Sequence, residues 1–253
     1  MITVISPAKL MDRSIRSNVR GLTQPDFPDE AATLVKGLKA LSPSAISKLM
    51  TVSPKIAADT AEDYQQWQLP FTPENATPAL LLFRGDVYRG LDADSLSKTD
   101  LDFAQKHLRI LSGLYGILRP MDLIQPYRLM MGTPYAPSKS HKNLYAFWGS
   151  KLADHLSSEG TQAKIIVNLA SEEYFRALNV PELNARVVTC EFKEKKGMKY
   201  SVVSTYAKLA RGMMTRHILT NKINKPDQLI TFSEDGYAFN PSLSAENRLV
   251  FTR

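Results

Sequence analysis

Cysteine is nearly absent. A single Cys190 among 253 residues excludes an internal disulfide, a cysteine-built metal cluster and a two-cysteine redox cycle within one chain. Its surroundings, RVVTCEFKE, predict a mid-strand position and an inert, buried thiol. Histidine is scarce as well: His107, His141, His155 and His217 never fall at a paired ligand spacing such as HxxxH, so no protein-built metal site is expected. Missing too is any apolar run of the roughly 18 residues that cross a bilayer. The start, MITVISPAK, has neither the basic beginning nor the long apolar centre of a signal peptide. A cytoplasmic protein without a membrane partner is therefore expected. No Ser-His-Asp, HExxH, Walker or GxGxxG arrangement occurs, which leans against an enzyme and supplies no cofactor motif. No Ser/Gly-rich or charge-run linker divides the chain, so residues 1–253 are expected to form one domain.

Positive charge is present and concentrated. The net charge is +7, and the segment from Arg186 to Lys222 alone holds nine basic residues against two acidic ones, a surplus equal to that of the whole chain. Such a field attracts phosphates, whether of nucleic acid, nucleotide or lipid; a solvated face with no partner is the competing reading.

The hydrophobic periods predict a mixed α/β (α+β) fold in which helix exceeds strand. ITVI at 2–5 reads as a buried strand breaking at Ser6-Pro7, with Lys9 beyond it. Helices are expected from 30 to 66, two of them opened by Ser42-Pro43 and Ser53-Pro54, with serine as cap and proline in the first turn. The spacing predicts one long helix over 95–111, from Leu101, Ala104, Leu108 and Leu111, and another over 144–156. KIIVNL at 164–169 is a strand leading to a helix at EEYFRAL, and RVVTCEF and MKYSVVS form a hairpin about KEKKG. A basic helix follows over 205–221. Placed at 100° intervals, Arg211, Thr215 and Lys222 fall within about 60° of Lys208, an expected cationic face.

Three constellations could carry function. In Leu111–Gly132, Gly113 and Gly116 lie between two helix-like runs, suiting either a helix-hairpin-helix that offers backbone N–H groups to a DNA phosphate or close helix packing. Lys208 and Arg211 on the basic helix suit phosphate, lysine as a point charge and arginine as a bidentate donor. Lys9, Asn168 and Ser171 follow two strands and converge if those strands are neighbours, because α/β proteins bind ligands at the carboxyl ends of their strands.

Eight segments in order, ISPAK (5–9), FTPENA (71–76), FRGDVYRGL (83–91), LSGLYGILRPMDLIQPYRLMMG (111–132), YAFWG (145–149), NLASEEYF (168–175), YAKLARGMM (206–214) and FSEDGYAF (232–239), resemble the YaaA family, also known as UPF0246 or DUF328. The resemblance spans the chain. It implies a single-domain α/β fold with a basic cleft and a helix-hairpin-helix element for DNA binding. It also implies a bacterial cytoplasmic protein of the hydrogen peroxide response that helps limit unincorporated iron and oxidative damage. Carried onto this sequence, the DNA-binding residues would be Gly113, Gly116, Arg119, Arg128, Lys208 and Arg211, with Lys9, Asn168 and Ser171 as cleft or anion-binding residues. The expected partner is DNA, with a small anionic or nucleotide substrate as the alternative; oligomeric state is left open.

Overall fold

A computed structural model describes residues 1–13, 20–159, 164–178, 181 and 183–253. Its centre is a mixed sheet whose middle strands are apolar and parallel. Ile2–Ile5 (β1) is buried at all four positions, and the short Leu10–Met11 (β2) follows at the surface. Three helices come next: Pro28–Lys39 (α1), Pro43–Met50 (α2) and Pro54–Gln66 (α3). The two Ser-Pro starts act as the sequence predicts. Ser42 accepts from the Ala45 N–H at 3.2 Å and Ser53 from the Ile56 N–H at 3.4 Å, satisfying amides that a helix start leaves without intrahelical partners.

Thr77–Pro78 (β3), Ala79–Leu82 (α4), Phe83–Arg84 (β4) and Asp86–Leu91 (α5) lead to Lys98–His107 (α6). Ser97 and Asp100 form a capping box at the start of α6. The helix expected to run to Leu111 stops at His107, and Leu108–Ser112 is instead a fully buried strand, β5. The reason is tertiary: LRILS lies parallel to β1, with Thr3 opposite Leu108 and Ile5 opposite Ile110. Five consecutive buried positions suit a strand covered on both faces better than a one-sided helix. Gly116–Leu118 (β6) then returns antiparallel to β5, and Leu123–Ile124 (β7) pairs with β3.

The single helix expected over 144–156 is also two, Leu144–Trp148 (α7) and Lys151–Ser158 (α8). Gly149 between them has φ 51°, a left-handed backbone that glycine adopts freely and that ends a helix. Ile165–Asn168 (β8) passes to Glu172–Phe175 (α9). Arg186–Lys196 (β9) extends through the lysine-rich segment read as a turn; the reversal falls at Gly197, φ 62°, and Met198, before Lys199–Ser201 (β10). Ser204–Thr220 (α10), Ala238–Phe239 (β11) and Arg248–Thr252 (β12) complete the fold.

The main sheet has the order β11-β12-β9-β8-β1-β5-β6, with β10 on β9. Its five middle strands, β12, β9, β8, β1 and β5, are parallel. Helix α10 packs on α5 with almost no space between backbones. A Cβ at Gly212 would stand 1.9 Å from the Val87 carbonyl oxygen, and one at Gly90 2.2 Å from that of Leu209. No helix is long and apolar enough to cross a membrane among the described residues.

Candidate functional site

Parallel strands deliver their following loops to one edge of the sheet, where α/β proteins bind ligands. Val4 of β1 is registered with Asn168 of β8, so the loops beginning at Ser6 and Leu169 meet. The Ser171 N–H donates to Ser6 Oγ at 2.9 Å, Ser6 Oγ donates to Ser171 Oγ at 3.2 Å, and the Tyr88 hydroxyl donates to the Ser6 carbonyl at 3.1 Å. Asn168 is buried; its Oδ1 accepts from the Ala170 N–H at 2.9 Å, and its amide nitrogen lies 3.5 Å from Thr189 Oγ1. The structure thus brings the Lys9 loop, Asn168 and Ser171 together. Asn168 and Ser171 spend their hydrogen bonds on fixing the two loops, whereas Lys9 stands exposed beyond them.

A groove of about 200 Å³ opens beside Lys9. One wall carries Lys9, Arg13 and Arg128; the other is α3, contributing Ile56, Asp59, Thr60 and Asp63, and Tyr127 also lines it. Arg128 is held by its neighbours. Tyr127 is buried with its hydroxyl 2.7 Å from Ser112 Oγ, and the Tyr64 hydroxyl donates to the Arg128 carbonyl. The charged ends of Lys9 and Arg128 have no ion pair or hydrogen bond among the described residues. Arg13 and Asp63 form an ion pair of 2.5 Å. Burial raises the Asp63 carboxyl above the usual carboxylate range, opposed by that arginine.

The remaining expected residues lie elsewhere or are occupied. Gly113 and Gly116 are not flanked by two helices: Gly113 lies in the turn between strands β5 and β6, and Gly116 begins β6 opposite Ser112. Both are buried, and their role is packing. A Cβ at Gly113 would lie 2.3 Å from the Leu129 carbonyl oxygen, and one at Gly116 2.8 Å from Leu152 and Trp148. With Trp148 Nε1 donating to the Gly113 carbonyl at 3.1 Å, there is no room for a phosphate. Arg119 donates to Asp26 at 3.0 Å, to Asp122 at 3.2 Å and to the Gln24 carbonyl at 2.8 Å. Asp122 is wholly buried, which pushes its carboxyl up to about 6.

The cationic face expected on α10 is dismantled by packing. Lys208 is exposed, but Thr215 is buried and Arg211 is half-buried, close to the Cys190 thiol and the Glu191 carboxylate. The Arg211 Nε has no acceptor among the described residues, and burial lowers the pKa of its guanidinium. Neither Lys208 nor Arg211 is among the residues lining the groove. Arg216 donates to the carbonyls of Leu91 and Asp92 at 3.1 and 2.9 Å, and Lys222 pairs with Asp100. Cys190 is buried as the strand pattern predicts, and burial pushes its thiol up to about 12.

Two features escape the sequence reading. The first is the tight reversal between α2 and α3. Thr51 turns through the left-handed region at φ 52°, the Ser47 hydroxyl donates to the Val52 carbonyl at 2.7 Å, and Ser53 caps the next helix. Its signal was available, since two Ser-Pro starts stand so close that only a tight reversal fits between their helices. The second is the α3 wall with Asp59 and Asp63, which no motif marks.

A family model described as "Peroxide stress protein YaaA" matches residues 1–243. A UPF0246 protein of Dechloromonas aromatica (strain RCB) is 48% identical over 255 residues, covering 100% of this chain and 99% of that protein. A UPF0246 protein of Cellvibrio japonicus (strain Ueda107) is likewise 48% identical over 255 residues, covering 100% of this chain and 98% of its own length. The UPF0246 protein Bpet1601 of Bordetella petrii matches at 48%, with 100% and 99% coverage.

Proposed function

The chain belongs to the YaaA peroxide stress protein family, and from that premise we propose that it serves the peroxide response by binding DNA through the phosphate backbone. Limiting free iron and oxidative damage is the outcome of that role. The observation that carries the reading is the pairing of Lys9 and Arg128 in one groove, their charged ends without an ion pair or hydrogen bond among the described residues, beside α3, whose preceding turn exposes Thr51 and Ser53. Uncommitted cations exchange water and counterions for phosphate without first breaking an internal pair, so the favourable term is counterion release. Backbone contacts of this kind position a duplex without reading its sequence.

The test is the salt dependence of duplex affinity. A backbone-dominated complex weakens along a log-log slope of about 0.9 per neutralised phosphate, and Lys9→Ala lowers that slope by about one on every sequence alike. A slope near zero would remove the reading. The volume of the groove favours a second reading, an enzyme or receptor for a small phosphate-bearing metabolite. Micromolar stabilisation by a nucleotide or phosphometabolite, lost in Lys9→Ala, would support it.

A further inference from the structure

The groove beside Lys9 meets a duplex's phosphates at its mouth but cannot enclose the duplex, and it is electrically divided. Its volume of about 200 Å³ falls below the roughly 300 Å³ at which sites for drug-sized ligands begin, leaving room for one phosphate and part of one nucleoside. Cations and carboxylates face each other across it, with Lys9 and Arg128 on one wall and Asp59 on α3 opposite. Asp63, on the same helix, is already paired with Arg13, whereas Asp59 has no ion pair or hydrogen bond among the described residues. Apolar groups complete the mouth: Leu10 is 66% exposed and Ile56 37%, unusual for large aliphatic side chains next to charges and suited to the flat face of a base.

A ligand that fits must be anionic at one end, flat and apolar in the middle, and a hydrogen-bond donor at the other. Resting on the DNA-binding reading above, we propose that this groove receives a single unpaired nucleotide of DNA. Its phosphate lies between Lys9 and Arg128, its base between Leu10 and Ile56, and the amino group of adenine or cytosine donates to the Asp59 carboxylate. Carboxylates accept in this way from exocyclic amino groups, which thymine lacks. Extruding a base costs stacking energy, least where the nucleotide is already unpaired. A bulged or damaged position is therefore the natural ligand, and one that oxidative lesions create.

The test is fluorescence anisotropy at fixed low salt with a fully paired duplex and duplexes bearing one bulged A, C or T, against the full chain and its Asp59→Ala variant. Asp59 is exposed and alanine suits a helix interior, so the variant keeps its fold. Bulged A and C are expected to bind about tenfold more tightly than the paired duplex and more tightly than bulged T, a difference of the size one base-edge contact supplies. In Asp59→Ala, which leaves no acceptor, the ratio of A to T falls to about one. Equal affinity for paired and bulged duplexes, or an A-to-T ratio unchanged by Asp59→Ala, overturns the nucleotide site while leaving backbone binding in place. Failure to bind any of these duplexes overturns the DNA-binding reading, and the nucleotide site with it.

Discussion

The groove beside Lys9 and the helix α10 are both rich in cations, yet most of their cations are in different states. On α10 and the turn after it, Arg216 is tied to the end of α5, Lys222 to Asp100, and Arg211 is half-buried beside β9. In the groove, Lys9 and Arg128 have no such ties among the described residues. Within Arg186 to Lys222, Lys195, Lys196, Lys199 and Lys208 are exposed without an ion pair among the described residues, so the segment's availability comes from four lysines rather than from its nine cations. A cation already engaged with carbonyls or carboxylates must lose that partner before it can bind a phosphate, and the exchange cancels most of the gain. Charge counted along a chain measures supply; partners in space decide availability.

Five variants sharpen or break this contrast. Gly212→Ala should have the largest effect. Its methyl would meet the Val87 carbonyl at 1.9 Å, backbone against backbone, so α10 must shift off α5 at a cost near 3 kcal/mol. Calorimetry should show that loss, while the folded fraction binds DNA with unchanged affinity, since the groove is not built on α10. Arg119→Ala comes next, at about 2 kcal/mol, because it strips a partner from the buried Asp122 carboxyl. DNA affinity should not move, and a tenfold loss would return Arg119 to the interface.

The same site sets a pH dependence. The Asp122 carboxyl is raised from 3.8 to about 6 in the folded chain, so the folded state binds its proton more tightly than the unfolded one. The stability linked to it is fully present below pH 3.8, declines as pH rises through about 6, and is flat above that. Asp122→Asn should abolish this decline in urea denaturation at successive pH values. The Lys9→Ala, Arg128→Ala double variant reverses the pattern of the first two: stability stays within error, while duplex affinity at low salt falls about tenfold, or 1.4 kcal/mol. Unchanged affinity would show the groove to be idle. The smallest effect is that of Lys222→Ala, which removes the main group holding the Asp100 carboxyl down at about 2. Its titration, followed by NMR, should move up toward the ordinary aspartate range with little change in melting temperature, as a partly exposed surface pair dictates.

Local signals were legible wherever chemistry acts over a few residues. Ser42-Pro43 and Ser53-Pro54 announced α2 and α3, the short apolar runs announced β1 and β8, and alternating burial placed Cys190 inside β9. The errors share one cause. Leu108 and Leu111 fit a helical stripe but were claimed by β1 as a strand, and Gly113 and Gly116 fit a phosphate loop but were claimed by Leu129, Trp148 and Leu152. Thr215 and Arg211 fit a cationic face until the sheet and α5 covered it.

The order of residues alone determined the class of fold, most of its helix starts and the resemblance that leads to its family, because capping, turn geometry and hydrophobic period are properties of neighbours in the chain. Only the tertiary structure decided which cations stand free and which walls face each other. Lys9, Asp59 and Arg128 are far apart in sequence, and they come together through the edge of a parallel sheet and one helix laid against it.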